Sequence, residues 1–166
     1  VKMLDYAELD VLTRLLNRKT FEVTFDRLLS APAEESLDQS FRERRVPLDD
    51  GSQAWLCIID IDFFKRINDE FGHLFGDEVL LRMGDLMRNS FRDGDRLFRF
   101  GGEEFVVILN AANSTLAEIG FNRFRACVEN HEFPRVGKVT CSIGFTGISR
   151  LDVPTDAVGR ADEALY

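Results

Sequence analysis

The chain has 166 residues, 45% of them hydrophobic and 30% charged, which is typical of one folded domain with a real core. Its net charge of −8 argues against the basic surface by which proteins attract nucleic acid. No apolar run approaches the length of a membrane span, and the first residues lack a signal-peptide pattern. We therefore expect a cytoplasmic domain that contacts neither nucleic acid nor membrane, which is compatible with a membrane anchor elsewhere in a full-length protein.

Three cysteines, Cys57, Cys127 and Cys141, lie far apart and inside apolar runs. Their odd number and the absence of a CxxC pair argue against a disulfide framework and a zinc site. We predict that all three are reduced core residues, which agrees with a cytoplasmic protein.

The first third of the chain predicts a helix, a connection and a buried strand. Residues 1–29 are predicted to be helical, with Thr20 as a cap. The buried face of this helix repeats at helical spacing and comprises Phe21, Phe25, Leu28 and Leu29. Residues 30–53 hold two prolines and many charges without periodicity, which predicts a long surface connection. The apolar run at 54–60 predicts a central strand that is covered on both faces.

A helix and a hairpin are predicted next. Residues 76–91 carry apolar side chains at helical spacing, namely Leu80, Met83, Met87 and Phe91. The segments 96–100 and 105–109 flank Gly101 and Gly102, which predicts a β-hairpin because glycine tolerates positive φ angles.

The last third predicts helix, strand and helix. Ser114 is predicted to cap a helix whose buried face holds Leu116, Ile119, Phe124 and Val128. Residues 138–146 alternate as in a half-buried strand, with one side formed by Val139, Cys141, Ile143 and Phe145. Pro154 opens a final helix with Val158, Ala161 and Leu165 inward. The whole order predicts an α/β (α+β) fold with a central mixed sheet, an antiparallel glycine hairpin and flanking helices.

Acidic residues follow two of the apolar runs. Asp60 and Asp62 end the first strand, and period-two geometry places both on one face with Ile61 turned into the core. Glu103 and Glu104 lie at the hairpin turn. If the strands are neighbours, Asp60, one glutamate and a backbone carbonyl form an oxygen-lined site that suits Mg²⁺. Solvated charge at strand ends is the alternative, and the convergence of four acids and two glycines on one edge favours a metal.

Further polar residues lie between these two pairs. Lys65 can neutralise phosphate, and Gly102 lets the backbone approach a phosphate closely. Asn68 and Asp77 offer an amide and a carboxylate that match the acceptor and donor edge of guanine. Their alternatives are a turn residue for Asn68 and a helix N-cap for Asp77. His73 is a further candidate substrate contact, although a hydrogen-bonded core histidine is the interpretation that we favour from sequence.

Five segments, taken together, resemble the signatures of the GGDEF family, the diguanylate cyclases of bacteria. They match in order and at compatible spacing across nearly the whole chain, and five motifs in register are far more specific than one. The segments are "DVLTRLLNR" (10–18), "DIDFFKRINDEFGHLFGDEVL" (60–80), "RFGGEEF" (99–105), "TCSIGF" (140–145) and "RADEALY" (160–166).

The resemblance implies a fold like that of nucleotide cyclases and the palm of polymerases. Two such domains would meet as a homodimer, each holding one GTP, and join them into cyclic di-GMP with release of pyrophosphate. Two divalent metals, Mg²⁺ or Mn²⁺, would be bound by Asp60, the Ile61 carbonyl and Glu103. The implied GTP contacts are guanine recognition by Asn68 and Asp77 and phosphate contacts near Phe63, Phe64 and Lys65. Glu103 or Glu104 would assist removal of the 3′-hydroxyl proton.

The resemblance also implies control by the product. Arg92 and Asp95 stand where many members carry a product-inhibition site, with Arg123 as a further ligand and Arg125 as the competing choice. A charged turn is the alternative interpretation of the first two. An alternative function is a weak or inactive GGDEF domain that senses cyclic di-GMP or GTP, although the intact turn favours the enzyme.

The expected organisation is a single domain over residues 1–166. Residues 1–9 are interpreted as the end of a linker helix from an upstream sensor or receiver domain. Three features depart from the family pattern. Glu103 replaces an aspartate, the 30–53 connection is long, and the sequence stops before basic residues that commonly follow in the family and help to hold triphosphate.

Overall fold

Five strands form one mixed sheet in the computed structural model, which describes residues 6–30, 52–149 and 151–165. The strands are β1 (Leu16–Asn17), β2 (Gln53–Ile61), β3 (Arg96–Gly101), β4 (Glu104–Ala111) and β5 (Cys141–Gly147). Their spatial order is β1-β3-β4-β2-β5, and among these strands β1 and β3 are parallel while the other neighbours are antiparallel. The predicted mixed sheet with an antiparallel glycine hairpin is confirmed.

Helices cover both faces of this sheet. They are α1 (Arg18–Ser30), α2 (Phe64–Phe71), α3 (His73–Ser90), α4 (Ser114–Asn130) and α5 (Pro154–Glu163), and a short 3₁₀ turn spans Tyr6–Glu8. The apolar spacing did not predict α2. Within the described ranges, no helix combines the length and the apolar character that a membrane crossing requires.

The strands alternate between two cores. In β2, Cys57 and Ile59 join a core with α2, α3 and α4, whereas Leu56 and Ile58 join a second core with α1 and α5. Such alternation follows from the period-two geometry of a strand that is buried on both faces. The predicted central strand is therefore confirmed. The predicted face of the 138–146 segment is confirmed too, because all four of its residues belong to the first core: Val139, Cys141, Ile143 and Phe145.

The amino-terminal segment differs from the predicted helix over 1–29. Within the described part, α1 begins at Arg18, because side chains compete with the helical hydrogen bonds before it. The Asp10 carboxylate accepts hydrogen bonds from the Thr13 backbone N–H at 2.8 Å and from the Thr13 hydroxyl at 2.7 Å. Thr20 is not the cap of α1, since Asn17 Oδ1 accepts the Thr20 N–H at 2.9 Å. Residues 1–5 and nearly all of the 30–53 connection lie outside the described residues.

The buried face of α4 also differs from the prediction. Leu116 and Ile119 are 51% and 57% exposed. The buried stripe is Ala117, Phe121, Phe124 and Val128. Phe124 and Val128 are buried as predicted, whereas Ala117 and Phe121 take the place of Leu116 and Ile119. This face lets Phe121 join Phe124 in the core, which buries a large apolar side chain. The predicted cap is wrong as well, because Asn113 Oδ1 accepts the Leu116 N–H at 2.9 Å.

Two of the three cysteines are core residues. Cys57 and Cys141 are buried, and burial raises the pKa of Cys57 well above its usual range and that of Cys141 to about 12. Cys127 is exposed, so the prediction for this residue is wrong. It lies on α4 beside the buried stripe that contains Phe124 and Val128, not within it.

Helix α5 approaches the sheet at a glycine. A methyl group on Gly144 would lie 2.1 Å from the Ala161 carbonyl oxygen and 2.7 Å from the Leu165 nitrogen. Ala157 and Ala161, both fully buried, form the side of α5 that faces the second core. The small residues on both elements therefore set the close packing of α5 against β5.

We predict that Gly144→Ala lowers the free energy of unfolding by about 1–3 kcal/mol, because the added methyl group overpacks the α5 contact. Gly159→Ala is the control, since a methyl group on Gly159 meets no atom within 4 Å and alanine favours the helix. Urea unfolding of the two variants measures both changes. Equal stability of Gly144→Ala and the parent chain would contradict the tight packing of α5.

Candidate functional site

Acidic residues of β2 and β4 meet at one end of the sheet. In the antiparallel register Asp60 lies opposite Glu104, and on its other side Asp60 lies opposite Ser142 of β5. The Ile61 N–H donates to the Glu103 carbonyl oxygen at 3.3 Å, which places the hairpin turn beside the end of β2. The strands are therefore neighbours, as the oxygen-lined site required.

The glycine turn has a backbone that other residues rarely adopt. Gly101 and Gly102 have φ angles of 128° and 53°, and the chain bulges between Arg99 and Gly101. Glycine reaches these angles without steric cost, so the two glycines set the turn. They bring Glu103 and Glu104 to the edge of the sheet next to Asp60.

Arg99 stabilises this turn through hydrogen bonds. Arg99 donates to the Gly102 carbonyl oxygen from Nη2 at 2.9 Å and to both carboxylate oxygens of Asp10 from Nη1 at 3.1 Å. The side chains of Arg99 and Asp10 are 13% and 19% exposed, so water screens this pair less than a surface ion pair. Burial raises the pKa of Asp10, but hydrogen bonds from Thr13 and Arg99 outweigh it and lower the pKa overall.

Negative charge accumulates around Asp60. Burial, and then the carboxylates of Glu103, Glu104, Asp62 and Asp162 in decreasing order, raise the pKa of Asp60 to about 6. Asp162 comes from α5, whose close approach at Gly144 brings it to this edge. Like charges in a partly buried place favour a cation, because a cation offsets both the burial and the repulsion.

The donor set fits a hard divalent cation. Asp60 and Glu103 provide carboxylate oxygens, and the Ile61 carbonyl is a further oxygen at the same strand end. Mg²⁺ typically takes one or two carboxylates and completes its shell with water and substrate phosphates. Within the described ranges, no three His, Cys, Asp or Glu side chains form a ready metal cage. The arrangement therefore suits a cation that is shared with a phosphate ligand.

Asp62 is engaged differently from Asp60. Its two carboxylate oxygens accept the Ser142 hydroxyl at 2.6 Å and the Thr140 hydroxyl at 2.7 Å. Its N–H donates to the Thr140 carbonyl oxygen at 2.9 Å. Asp60 and Asp62 share a face as predicted, because Ser142 is the cross-strand neighbour of Asp60 and its hydroxyl reaches Asp62.

The corner between β2 and α2 presents an aromatic residue to solvent. The backbone of Phe63 adopts the left-handed conformation, with φ 58° and ψ 32°. The residue is 75% exposed. The next residue, Phe64, is buried and anchors the start of α2, while Lys65 is exposed. Phe63 and Lys65 line a shallow groove with Arg66, Asp69 and Glu70, so an apolar ring stands beside two cations and two carboxylates.

The predicted guanine-reading residues lie on adjoining helices. Asn68 is half-buried on α2, and its Oδ1 would lie 1.8 Å from a methyl group on Gly76. Gly76 therefore leaves the space into which the amide of Asn68 fits, and the next residue, Asp77, is exposed on α3. Asn68 is helical rather than a turn residue, and Asp77 is the fifth residue of α3, so the structural alternatives for both are wrong.

His73 is not a core residue. It is the first residue of α3 and is exposed. The next residue, Leu74, is 85% exposed as well. The core interpretation is therefore wrong.

A second groove lies away from the acidic edge. Arg92, Asp95 and Arg123 line a cavity of about 560 Å³ together with Leu116 and Ile119. Asp95 Oδ2 accepts the Arg92 N–H at 2.9 Å, and Arg123 donates to the Ser90 carbonyl oxygen at 3.3 Å. The structure thus brings together the three residues that were predicted from separate segments.

The competing arginine is turned elsewhere. Arg125 pairs with Glu129 at 3.1 Å along α4 and does not line the groove. The geometry therefore favours Arg123 over Arg125.

Comparison with known proteins decides the family. The family model described as "Diguanylate cyclase, GGDEF domain" matches residues 7–166. The chain belongs to the GGDEF family. Diguanylate cyclase DgcP of Pseudomonas aeruginosa is 40% identical over 139 residues, which are 82% of this chain and 20% of that protein. Diguanylate cyclase DgcZ of Escherichia coli is 35% identical over 151 residues, which are 89% of this chain and 50% of that protein.

Solved structures show the same fold. The GGDEF domain of DgcB from Caulobacter crescentus, in complex with c-di-GMP, aligns with a TM-score of 0.78 and 28% identity over 98% of this chain and 90% of that one. Diguanylate cyclase SiaD of Pseudomonas aeruginosa, in complex with its activator SiaC, aligns with a TM-score of 0.77 and 30% identity over 94% of this chain and 55% of that one. The chain spans half or less of the length of the two curated relatives.

Three contributors to this GGDEF site were missed from sequence. Asp162 joins the acidic edge, and Asp10 and Arg99 hold the glycine turn. All three lie inside segments that carried the family resemblance. Their positions within those motifs are the signal that could have identified them as site residues. No local pattern shows that residues 89 positions apart form an ion pair.

We predict that Asp60→Asn raises the melting temperature of the metal-free chain at pH 7.5, on the order of 2–4 °C. The reason is that a raised pKa makes ionised Asp60 unfavourable in the folded state. The stability that protonated Asp60 contributes is fully present below about pH 4 and is lost as the pH rises through 6. Thermal unfolding with a chelator, at pH 7.5 and pH 4.5, measures the difference. It should shrink at pH 4.5, where Asp60 is largely protonated. A variant that melts below the parent at pH 7.5 would contradict charge crowding at this edge.

Proposed function

We propose that this chain is the catalytic domain of a diguanylate cyclase, which joins two GTP into cyclic di-GMP and releases two pyrophosphates. The observation that carries the proposal is the meeting of Asp60, Glu103 and the Ile61 carbonyl at one strand end, beside the glycine turn. Family membership supports it, since the curated relatives are diguanylate cyclases. The proposed location is the cytoplasm, where GTP is available.

Two Mg²⁺ or Mn²⁺ ions per site are the proposed cofactors, held by Asp60, Glu103 and the Ile61 carbonyl. When bound, divalent cations neutralise phosphate charge and lower the pKa of a hydroxyl group. The net charge of −8 makes this necessary, because carboxylates and a triphosphate repel each other. The protein itself supplies the fixed positions of its oxygen atoms.

The substrate is proposed to lie across α2 and α3. Asn68 and Asp77 recognise guanine, with Asp77 accepting from its N–H donors and the Asn68 amide donating to its O6. Phe63, Phe64 and Lys65 lie along the phosphates, and Gly102 lets the turn approach them. The exposure of His73 is compatible with a substrate contact, which remains part of the proposal.

The bond-forming step is an in-line displacement. The 3′ oxygen of one GTP attacks the α-phosphorus of the other, the bond to pyrophosphate breaks, and Glu103 or Glu104 accepts the 3′-hydroxyl proton. A second, symmetric displacement closes the ring. Each domain holds one GTP, so two domains must face each other, and a homodimer is part of the proposal. An upstream sensor or receiver domain is the proposed partner that controls this meeting.

Feedback by the product is proposed at the second groove. Arg92 and Arg123 provide guanidinium groups that bind phosphate or a guanine edge in fork geometry, and Asp95 provides acceptors for guanine donors. The groove is formed by α4 and the segment before β3, away from Asp60. Bound cyclic di-GMP would hold the domains in an arrangement where two GTP molecules cannot meet.

We predict that the parent chain converts GTP to cyclic di-GMP with Mg²⁺ and that Asp60→Ala and Glu103→Ala abolish turnover while the fold is retained. Each substitution removes a proposed metal ligand from the edge of the sheet without opening a core cavity. Product separation by chromatography measures turnover, and circular dichroism checks the fold.

ATP provides the specificity control for this assay. Its base presents a donor where guanine has O6, and a site built on such hydrogen bonds rejects the wrong base by roughly 10⁴-fold in favourable cases.

Near-normal turnover by Asp60→Ala or Glu103→Ala would contradict the metal assignment. Cyclic di-GMP binding without any GTP turnover by the parent chain would favour the sensor function instead.

We predict that Arg92→Ala keeps basal turnover and raises the cyclic di-GMP concentration needed for inhibition by about ten- to a hundredfold, because a charge-assisted hydrogen bond is lost. Initial rates against added cyclic di-GMP measure the change. Arg125→Ala is the matched control, since it removes a guanidinium group of α4 that does not line the groove. Superimposable inhibition curves for Arg92→Ala and Arg125→Ala would leave Arg92 as a surface charge.

A further inference from the structure

Asp62 connects the corner between β2 and α2 to β5. Three hydrogen bonds form this connection. The Thr140 and Ser142 hydroxyls donate to the Asp62 carboxylate, and the Asp62 N–H donates to the Thr140 carbonyl oxygen. The two side-chain contacts, at 2.7 and 2.6 Å, have the short lengths of hydrogen bonds to an ionised acceptor. Each carboxylate oxygen of Asp62 therefore already has a donor from β5 or the residue before it.

The backbone of this corner needs such support. Phe63 is left-handed although it is not glycine, and its ring is 75% exposed, so packing of its own side chain does not hold this conformation. An unfavourable backbone conformation persists where its neighbours fix it. The hydrogen bonds of Asp62 fix the backbone that leads into Phe63. The buried side chains of Phe64 and Ile67 fix the backbone that follows it.

The corner sets the position of the first turn of α2. The first N–H groups of a helix have no carbonyl partner within it and point outward from its start. Such groups bind phosphate when an anion lies at the helix start. The start of α2 is the segment that the proposed function assigns to the GTP phosphates, through Phe63, Phe64 and Lys65.

We propose that Asp62 is a positioning residue for nucleotide binding. Through the hydroxyls of Thr140 and Ser142 it fixes the left-handed corner at Phe63 and thereby the phosphate-facing start of α2. It thus differs in role from Asp60, two residues earlier on the same face, whose carboxylate is left for a cation. This inference rests on the proposed function.

The test compares the carboxylate with its hydroxyl partners. The ligand is a GTP analogue with a methylene group between the α and β phosphorus atoms, bound with Mg²⁺ and measured by calorimetry on the full chain. Asp62→Ala and the double variant Thr140→Val with Ser142→Ala should each weaken binding by about tenfold. Combining all three substitutions should weaken binding no further, because they break one shared contact. Thr140→Ser with Ser142 intact keeps both hydroxyls and should bind as the parent does.

Glu118→Ala is the matched control, because it removes an exposed carboxylate from α4, outside the groove of Phe63 and Lys65, and should leave the affinity unchanged. If the hydroxyl variant binds normally while Asp62→Ala does not, Asp62 acts on the cation directly and the inference is overturned. Normal binding by folded Asp62→Ala would overturn it too. If Asp62→Ala does not fold, the hydroxyl variant decides alone. A parent chain that fails to bind the analogue would overturn the proposed function itself.

Discussion

The pairing of β2 with β4 is the constraint on which the site depends. Eight consecutive residue pairs, from Gln53 opposite Ala111 to Asp60 opposite Glu104, leave no freedom in where the carboxylates lie. The apolar pairs along this ladder, buried in two cores, stabilise a register that brings like charges together at its end. The core thus offsets the repulsion among these carboxylates, which the proposed cation would relieve. A slip by one residue would turn Asp60 into the other core.

Much of this fold could be predicted because its signals are local. The run at 54–60 and the glycines at 101–102 determine a buried strand and a hairpin whatever surrounds them. The errors arose where tertiary packing chose between local options. The buried face of α4 takes Phe121 in place of Leu116, and Asn17 rather than Thr20 has the geometry to cap α1. The same choice of face leaves Cys127 in solvent.

The candidate site also contains residues that local patterns predict and residues that only tertiary packing brings in. Asp60, Glu103 and Glu104 follow apolar runs directly, so strand geometry places them at one edge once the strands pair. The contribution of Asp162 requires that α5 pack against β5, and no pattern within α5 shows that a glycine in another element permits it. The support of the turn by Arg99 and Asp10 likewise depends on contacts between distant segments. The sequence therefore predicts where the candidate ligands lie better than which groups hold them in place.

The composition of the outer strands bears on how copies of this chain can associate. On one side β5 carries Gly144 and Gly147, and glycine gives a strand little propensity to recruit another. On the other side β3 is only partly covered by β1, carries Arg96 and Arg99, and bulges. Charges, bulges and weak strand formers at the margins discourage sheet-to-sheet addition. The proposed approach of two copies through the ends of their strands would therefore meet little competition from fibre-like pairing.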